Sequence, residues 1–277
     1  MARTDNLTNF LTDVASAIKT KKGDDTPILA SDFDTEIENL PSGGGDENAT
    51  IDYSLISKTG TNSKIINYAI TKVPSFDATG YTSFKELFRY CTNLESVNIT
   101  NASSVTNMYG MFNGCNALKS VPQFDTSNVT NMYGVFLNCT ALESIPQFDT
   151  SNVTTMDTMF GYCDNIDYSY RMDTSKVTNM YGMFNRNRKM TIIPITTMGK
   201  VTDATSMFSN NGGILLPDSE LDYLLQLLIG ATAYTATKKL KSLGFSISTS
   251  SSAIFPPSRW QSLPHYQDFI DAGWTLQ

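Results

Sequence analysis

The residues of this chain that could do chemistry are few and regularly placed. Histidine occurs once, at His265, and cysteine four times, at Cys91, Cys115, Cys139 and Cys163. A 24-residue spacing between thiols matches no zinc motif, and one imidazole cannot complete a ligand set, so no metal and no cofactor are expected. A Ser–His–Asp triad would have to use His265, which no G-x-S-x-G elbow accompanies. Phosphate loops and dinucleotide fingerprints are also missing, and the expectation is a protein that is not an enzyme. Asp125, Asp149 and Asp173 recur at one phase, with Asp77 earlier. They lack the dense carboxylate pattern of a calcium loop and suit turns in which each aspartate accepts from following backbone amides. Tyr109, Tyr133 and Tyr181 recur at another phase, interrupted by Asp157. Each follows an apolar methionine and should point outward, as a platform for sugar rings or a protein partner. The alternative is that each ring lies flat on its neighbour and seals a stack. A second candidate surface carries Lys119, Glu143, Asp167, Tyr168 and Arg171.

These groups share a 24-residue step because the chain from about Phe76 to Phe208 repeats. Phe88, Phe112, Phe136, Phe160, Phe184 and Phe208 form one column without insertion or deletion. Val105, Val129, Val153, Val177 and Val201 form a second. Met108, Met132, Met156 and Met180 form a third, and Leu94, Leu118, Leu142, Ile166 and Met190 a fourth. The cysteines make a fifth, continued by Asn187, which places them as small buried free thiols, with a disulfide between adjacent coils left open. A fixed period in this range marks a solenoid whose repeats bury their apolar faces only against neighbours. Within one unit, Met132, Val135, Phe136 and Cys139 fall at i, i+3, i+4 and i+7, one face of a short helix with Thr130 as its N-cap. Leu142-Glu-Ser-Ile145 suits a short strand, and Phe148–Asn152 a turn.

The phrase DTSNVTNMYGVFLNC at Asp125–Cys139, repeated in variant form at Asp149–Cys163 and Asp173–Asn187, resembles the BspA-like leucine-rich repeat family. Those are surface and appendage proteins of bacteria and their phages. The resemblance covers about half the chain. It implies an α/β fold, a right-handed leucine-rich-repeat-like solenoid of about six coils, used for binding and not for catalysis.

Flanking segments complete the expected organisation. Residues 1–41 read as a helical attachment arm, in which Leu7, Phe10, Leu11, Val14 and Ile18 form one apolar stripe. A second short helix presents Phe33 and Ile37. This arm resembles the N-terminal segment of tail and appendage proteins of phages infecting Gram-positive bacteria, which implies docking to other virion proteins and a homo-oligomer in the particle. Residues 42–48 form a glycine-rich linker. Residues 49–75 should cap the solenoid, residues 76–211 build it, and residues 212–277 form a C-terminal helical cap. In that cap a helix starts at Pro217, a second is expected over Ala233–Leu243, and Tyr266, Phe269 and Ile270 share a face. The final FIDAGWTLQ resembles the C-terminal cap of phage and surface members of the repeat family. The net charge of −7 with 17% charged residues argues against a nucleic-acid partner, and no apolar run is long enough to insert in a membrane. The first residues lack an apolar signal core. A virion protein made in the host cytoplasm and released by lysis is therefore expected, with a bacterial cell-surface adhesin or a ligand-free decoration protein as alternatives. The expected ligand is cell-surface glycan or protein.

Overall fold

A computed structural model describes residues 70–211, 216–234, 238–245 and 256–276. The chain divides into two units, Met1–Gly44 and Gly45–Gln277, and every described residue belongs to the second. The arm residues Leu7, Phe10, Leu11, Val14, Ile18, Phe33 and Ile37, the linker at 42–48 and most of the segment at 49–75 lie outside the described residues.

Equivalent positions of successive 24-residue units lie side by side. Parallel bridges join Ser83 to Asn107, Asn107 to Asn131, Asn131 to Thr155, Thr155 to Asn179 and Asn179 to Asp203. Each coil bonds to both neighbours. The Thr130 amide donates back to the Thr106 carbonyl at 2.8 Å, while the Met132 amide donates forward to Thr155 at 3.1 Å. The same backward bond links Thr106 to Thr82, Thr154 to Thr130, Thr178 to Thr154 and Thr202 to Thr178. In every case the threonine hydroxyl donates to that carbonyl as well, at 3.1–3.2 Å. Thr130 therefore ties coils together and caps no helix.

The columns pack as their chemistry requires. The rings of Phe112, Phe136, Phe160 and Phe184 are fully buried and stack in series, with centroids 5.6, 5.6 and 6.1 Å apart and planes within 8° of parallel. The valine, methionine and leucine columns line the same core. All four cysteines are buried and free. Three of them act as donors: the thiols of Cys115, Cys139 and Cys163 point at the Phe88, Phe112 and Phe136 carbonyls, each at 3.0 Å. Asn187, next in the column, donates likewise to Phe160 at 2.7 Å.

The local conformation differs from the helix that the apolar spacing suggested. Residues 132–139 form linked turns. The Gly134, Phe136 and Asn138 amides donate to the following coil, and the Leu137 and Cys139 amides bond three residues back, to Gly134 and Phe136. Two columns of residues take positive φ. One column holds Glu86, Gly110, Gly134, Thr158, Gly182 and Ser206 at 51–58°, and the other holds Tyr90, Gly114, Asn138, Tyr162, Arg186 and Asn210 at 60–77°. A left-handed residue every fourth position keeps the chain from winding into a helix, because it redirects alternate amides outward to the neighbouring coil. The short strand expected at Leu142–Ile145 is also not formed. Among the described residues the named strands are β1 (Lys72–Asp77) and β2 (Ser96–Thr100), which are parallel, with a register shift between Val73 and Phe76 that spans Pro74. Pro122 and Pro146 occupy the next two places in that column and have no amide to donate, so later coils keep single bonds there, such as Glu143 to Lys119 at 2.9 Å.

The C-terminal end of the stack is covered. Helix α1 (Asp218–Ile229) buries Leu221, Leu224, Leu225, Leu227 and Leu228. The second helix expected over 233–243 is, within the described residues, a single 3₁₀ turn at Leu240–Leu243. Its backbone instead continues the ladder: the Ser206 amide donates to Ser242 at 2.8 Å and the Phe208 amide to Leu243 at 2.7 Å. Phe245 closes the phenylalanine column against Phe208, with centroids 4.9 Å apart. Two short helices, α2 (Pro257–Gln261) and α3 (Tyr266–Asp271), bury Trp260 and Phe269 behind it.

Candidate functional site

In each coil the linked turns leave four positions between the apolar core side chains. For the third coil these are Tyr133, Gly134, Leu137 and Asn138, of which Gly134 is buried and the other three are partly exposed, between buried Met132, Val135, Phe136 and Cys139. Stacked in register, these positions form one continuous turn face. Its first column runs Lys85, Tyr109, Tyr133, Asp157, Tyr181 and Thr205, and its fourth runs Tyr90, Gly114, Asn138, Tyr162, Arg186 and Asn210.

The tyrosines are fixed from beneath. The Asn107, Asn131 and Asn179 side chains accept from the amides of Tyr109, Tyr133 and Tyr181 at 2.8–2.9 Å. Tyr109 and Tyr133 stack at 4.7 Å with planes 6° apart, and the Lys85 ammonium lies 5.4 Å from the Tyr109 ring. That pair is partly buried, so sealing of the stack and display of an aromatic surface coexist in it. Tyr181, beyond the gap at Asp157, is 44% exposed. Tyr162 is 39% exposed, and the Arg186 guanidinium lies 5.6 Å from its ring. Tyr162 was not among the residues expected at this site. Its signal was available, because it falls five residues after Asp157, at the same outward phase as Asn138.

Asp157 sits in the place where the column misses a ring. Burial pushes its carboxyl above the ordinary range, partly opposed by hydrogen bonding from Thr158 and Asn179. The Asn179 amide reaches its Oδ2 at 3.2 Å. Burial, then Asp157 and Tyr109, push the Tyr133 hydroxyl upward in turn.

Two expected surface residues do not serve. Tyr168 is 4% exposed. Its ring stands edge-on between Phe160 and Phe184, at 5.4 and 5.5 Å, and its hydroxyl donates to Asn187 at 2.5 Å. The column that supplied Phe124 and Phe148 continues as Met172, and the Tyr168 ring fills the core there. Burial raises its hydroxyl far above the usual phenol range. Arg171 is engaged inside the molecule. It pairs with Glu220 at 2.6 Å and lies 4.2 Å from the Tyr223 ring, clasping α1 to the stack. The other Glu220 oxygen accepts from the Ile193 amide at 2.8 Å. Lys119, Glu143 and Asp167 remain exposed on their side of the stack.

The remaining chemistry is accounted for locally. Asp125, Asp149 and Asp173 each accept from the amide two residues on, at 2.8–2.9 Å. His265 donates its amide to Asp222 at 2.9 Å, with its Nδ1 2.7 Å from the other carboxylate oxygen. Among the described residues no three His, Cys, Asp or Glu groups are arranged to hold a metal ion, and no helix is long and apolar enough to cross a membrane.

A family model described as "Mycoplasma protein of unknown function, DUF285" matches residues 59–171 and again 142–213. The two matches overlap, as a register-keeping repeat allows. No curated protein and no solved structure matches the chain.

Proposed function

We propose, for a chain that belongs to the DUF285 family through a match over more than half its length, that it is a BspA-like repeat protein recognising cell surfaces without catalysis. In this reading the coils form a right-handed, leucine-rich-repeat-like solenoid of the α/β class, and the turn face carries the ligand, a cell-surface glycan or protein. The observation that carries the reading is the set of Tyr109, Tyr133, Tyr162 and Tyr181 on one face, with asparagine side chains holding the backbone amides of Tyr109, Tyr133 and Tyr181. Rings held in place before a ligand arrives lower the ordering cost of binding, and many copies convert weak contacts into firm attachment.

The setting we propose is a phage virion appendage, in a tail, baseplate or fibre. Residues 1–41 join it to other virion proteins there, and several copies are present per particle. A second setting is the surface of a bacterial cell; the family's description names a bacterium and no location. The full chain clustered on beads should adsorb to host cells, and a Tyr133→Ala, Tyr162→Ala, Tyr181→Ala variant with an unchanged melting profile should not. Equal adsorption would make the turn face structural and move attention to Lys119, Glu143 and Asp167. Adsorption by neither to any host tested ends the recognition reading. Deleting residues 1–41 should abolish incorporation into particles; incorporation at the normal copy number would show that the arm is not the anchor.

A further inference from the structure

One corner of the turn face differs from the rest in charge. Arg186, in the fourth outward column, lies over the exposed Tyr162 of the preceding coil. Arg188 and Lys189 follow it, both exposed. The two arginines share one carboxylate: Asp164 Oδ1 lies 3.3 Å from Arg186 Nε and 3.5 Å from Arg188 Nε. Both contacts use the inner Nε edge, and the side chains of the arginines stay 40% and 50% exposed while that of Asp164 is 24% exposed. Among the described residues nothing bonds the outer Nη atoms of either guanidinium. Two cations thus share one carboxylate, and a third follows them in sequence, on a chain whose net charge is −7. Tyr162, one of the two exposed large aromatic residues among the described residues, adjoins them through Arg186.

Each component has its own recognition chemistry. A guanidinium presents planar, paired donors that match a carboxylate bidentately, and it holds them in fixed geometry. A tyrosine offers an apolar face with a polar tip, suited to a ring bearing hydroxyls. Arginine and tyrosine together are the residues that dominate binding energy at recognition surfaces. The pair already holds one carboxylate oxygen between its two Nε atoms, and both side chains keep 40–50% of their surface exposed.

We propose that this corner binds an acidic saccharide, a sugar ring bearing a carboxylate. The ring lies against Tyr162, and the carboxylate takes the Nη atoms of Arg186 and Arg188. The proposal rests on the recognition reading above and names the ligand class of that face. The commitment to a carboxylated glycan follows from charge complementarity at the arginines and from the adjoining ring, which a bare anion would leave unused.

The test uses the full chain clustered on beads, with immobilised polygalacturonate, neutral dextran and poly-glutamate as probes. The altered protein is the Arg186→Gln, Arg188→Gln double variant. Arg186 has φ 62°, and glutamine bears that strain about as arginine does, so the variant should melt as the parent does. Retention on polygalacturonate is expected to fall at least about tenfold in the double variant, and to fall steeply with salt in the parent. Dextran should not retain either protein. A Tyr162→Ala variant should lose retention on polygalacturonate more than on poly-glutamate. Equal retention of parent and double variant, or equal retention of the parent on dextran, overturns the proposal. So does a Tyr162→Ala effect of the same size on both anionic polymers, which would assign binding to charge alone. A parent that adsorbs to cells but ignores polygalacturonate refutes this inference and leaves recognition standing. A parent that adsorbs to nothing refutes both.

Discussion

Gly244→Ala tests whether the stack is closed by an in-register segment or merely covered. Gly244 ends the 3₁₀ turn at φ 96° and lies against Ser209, where an added Cβ would fall 2.6 Å from Ser209 Cα. The obstacle is backbone, so the closing segment itself must move. That movement breaks the Ser206–Ser242 and Phe208–Leu243 bonds of 2.8 and 2.7 Å. Two lost bonds cost about 1–3 kcal/mol. The left-handed backbone adds roughly 1–2 kcal/mol for any residue with a Cβ. Stiffening of the unfolded chain returns about 0.4–1 kcal/mol, which leaves a net loss of about 1–5 kcal/mol, centred on about 3. For a folded unit of this size that is a fall of roughly 2–20 °C in melting temperature. Gly134→Ala is the control. It has φ 55°, but an added Cβ would lie 3.6 Å from Thr158 Oγ1 and 3.7 Å from Leu137 Cβ, which is ordinary contact. Only the conformational cost remains, and after the same offset it is about 0.5–1 kcal/mol. Melting would be followed by circular dichroism on all three proteins. If Gly244→Ala melts with Gly134→Ala, the register argument at the C-terminal end is wrong.

Three further outcomes are expected. Phe136→Ala removes a fully buried ring stacked on two others and should cost about 3–5 kcal/mol in urea unfolding; a loss below about 1 kcal/mol would show that the column is not a core. The four thiols should resist a labelling reagent in the native protein and react on unfolding, because all are buried and free and burial pushes Cys115, Cys139 and Cys163 well above the ordinary thiol range. Rapid native labelling, or a mass short by the hydrogens of a disulfide, would contradict this. Asp157→Asn should stabilise at neutral pH and lose that advantage in acid. The folded state holds the Asp157 proton more tightly than the unfolded chain does, so stability falls as pH rises through the carboxylate range and the penalty persists above it. An advantage for asparagine that grows on acidification would reverse the assignment.

The columns were legible in the sequence because a constant step puts equivalent residues together whatever the local conformation. Phe136, Met132, Val129 and Leu142 are therefore buried where the period placed them. What the period could not specify is how the chain turns between them. The i, i+3, i+4, i+7 spacing fits a helix and equally fits linked turns, and the deciding clue was the glycine after the tyrosine at Gly110, Gly134 and Gly182, which take positive φ. Tyr168 misled for a different reason. Its column holds Lys72, Ser96, Ser120 and Ser144, all polar, before it and Ile192 after it, and packing against Phe160 and Phe184 shows that Tyr168 turns inward. Arg171 likewise looked free because its partner Glu220 is 49 residues away, beyond the repeat. The tyrosines at 109, 133 and 181 were placed by phase, and Tyr162 emerged once the turn geometry showed which phases face outward.

Because each coil donates to and accepts from both neighbours through equivalent backbone groups, those backbone bonds do not record its position in the series. A duplication or deletion of a whole unit in the gene would leave both ends of the protein able to dock on whatever coil they meet. Copies of near-identical coding sequence, as in Asp125–Cys139 and Asp149–Cys163, are also the substrate on which misaligned recombination acts. Inheritance can therefore lengthen or shorten the tyrosine face in integral steps, and can reset its aromatic and charged positions one coil at a time, without passing through an unfolded intermediate sequence.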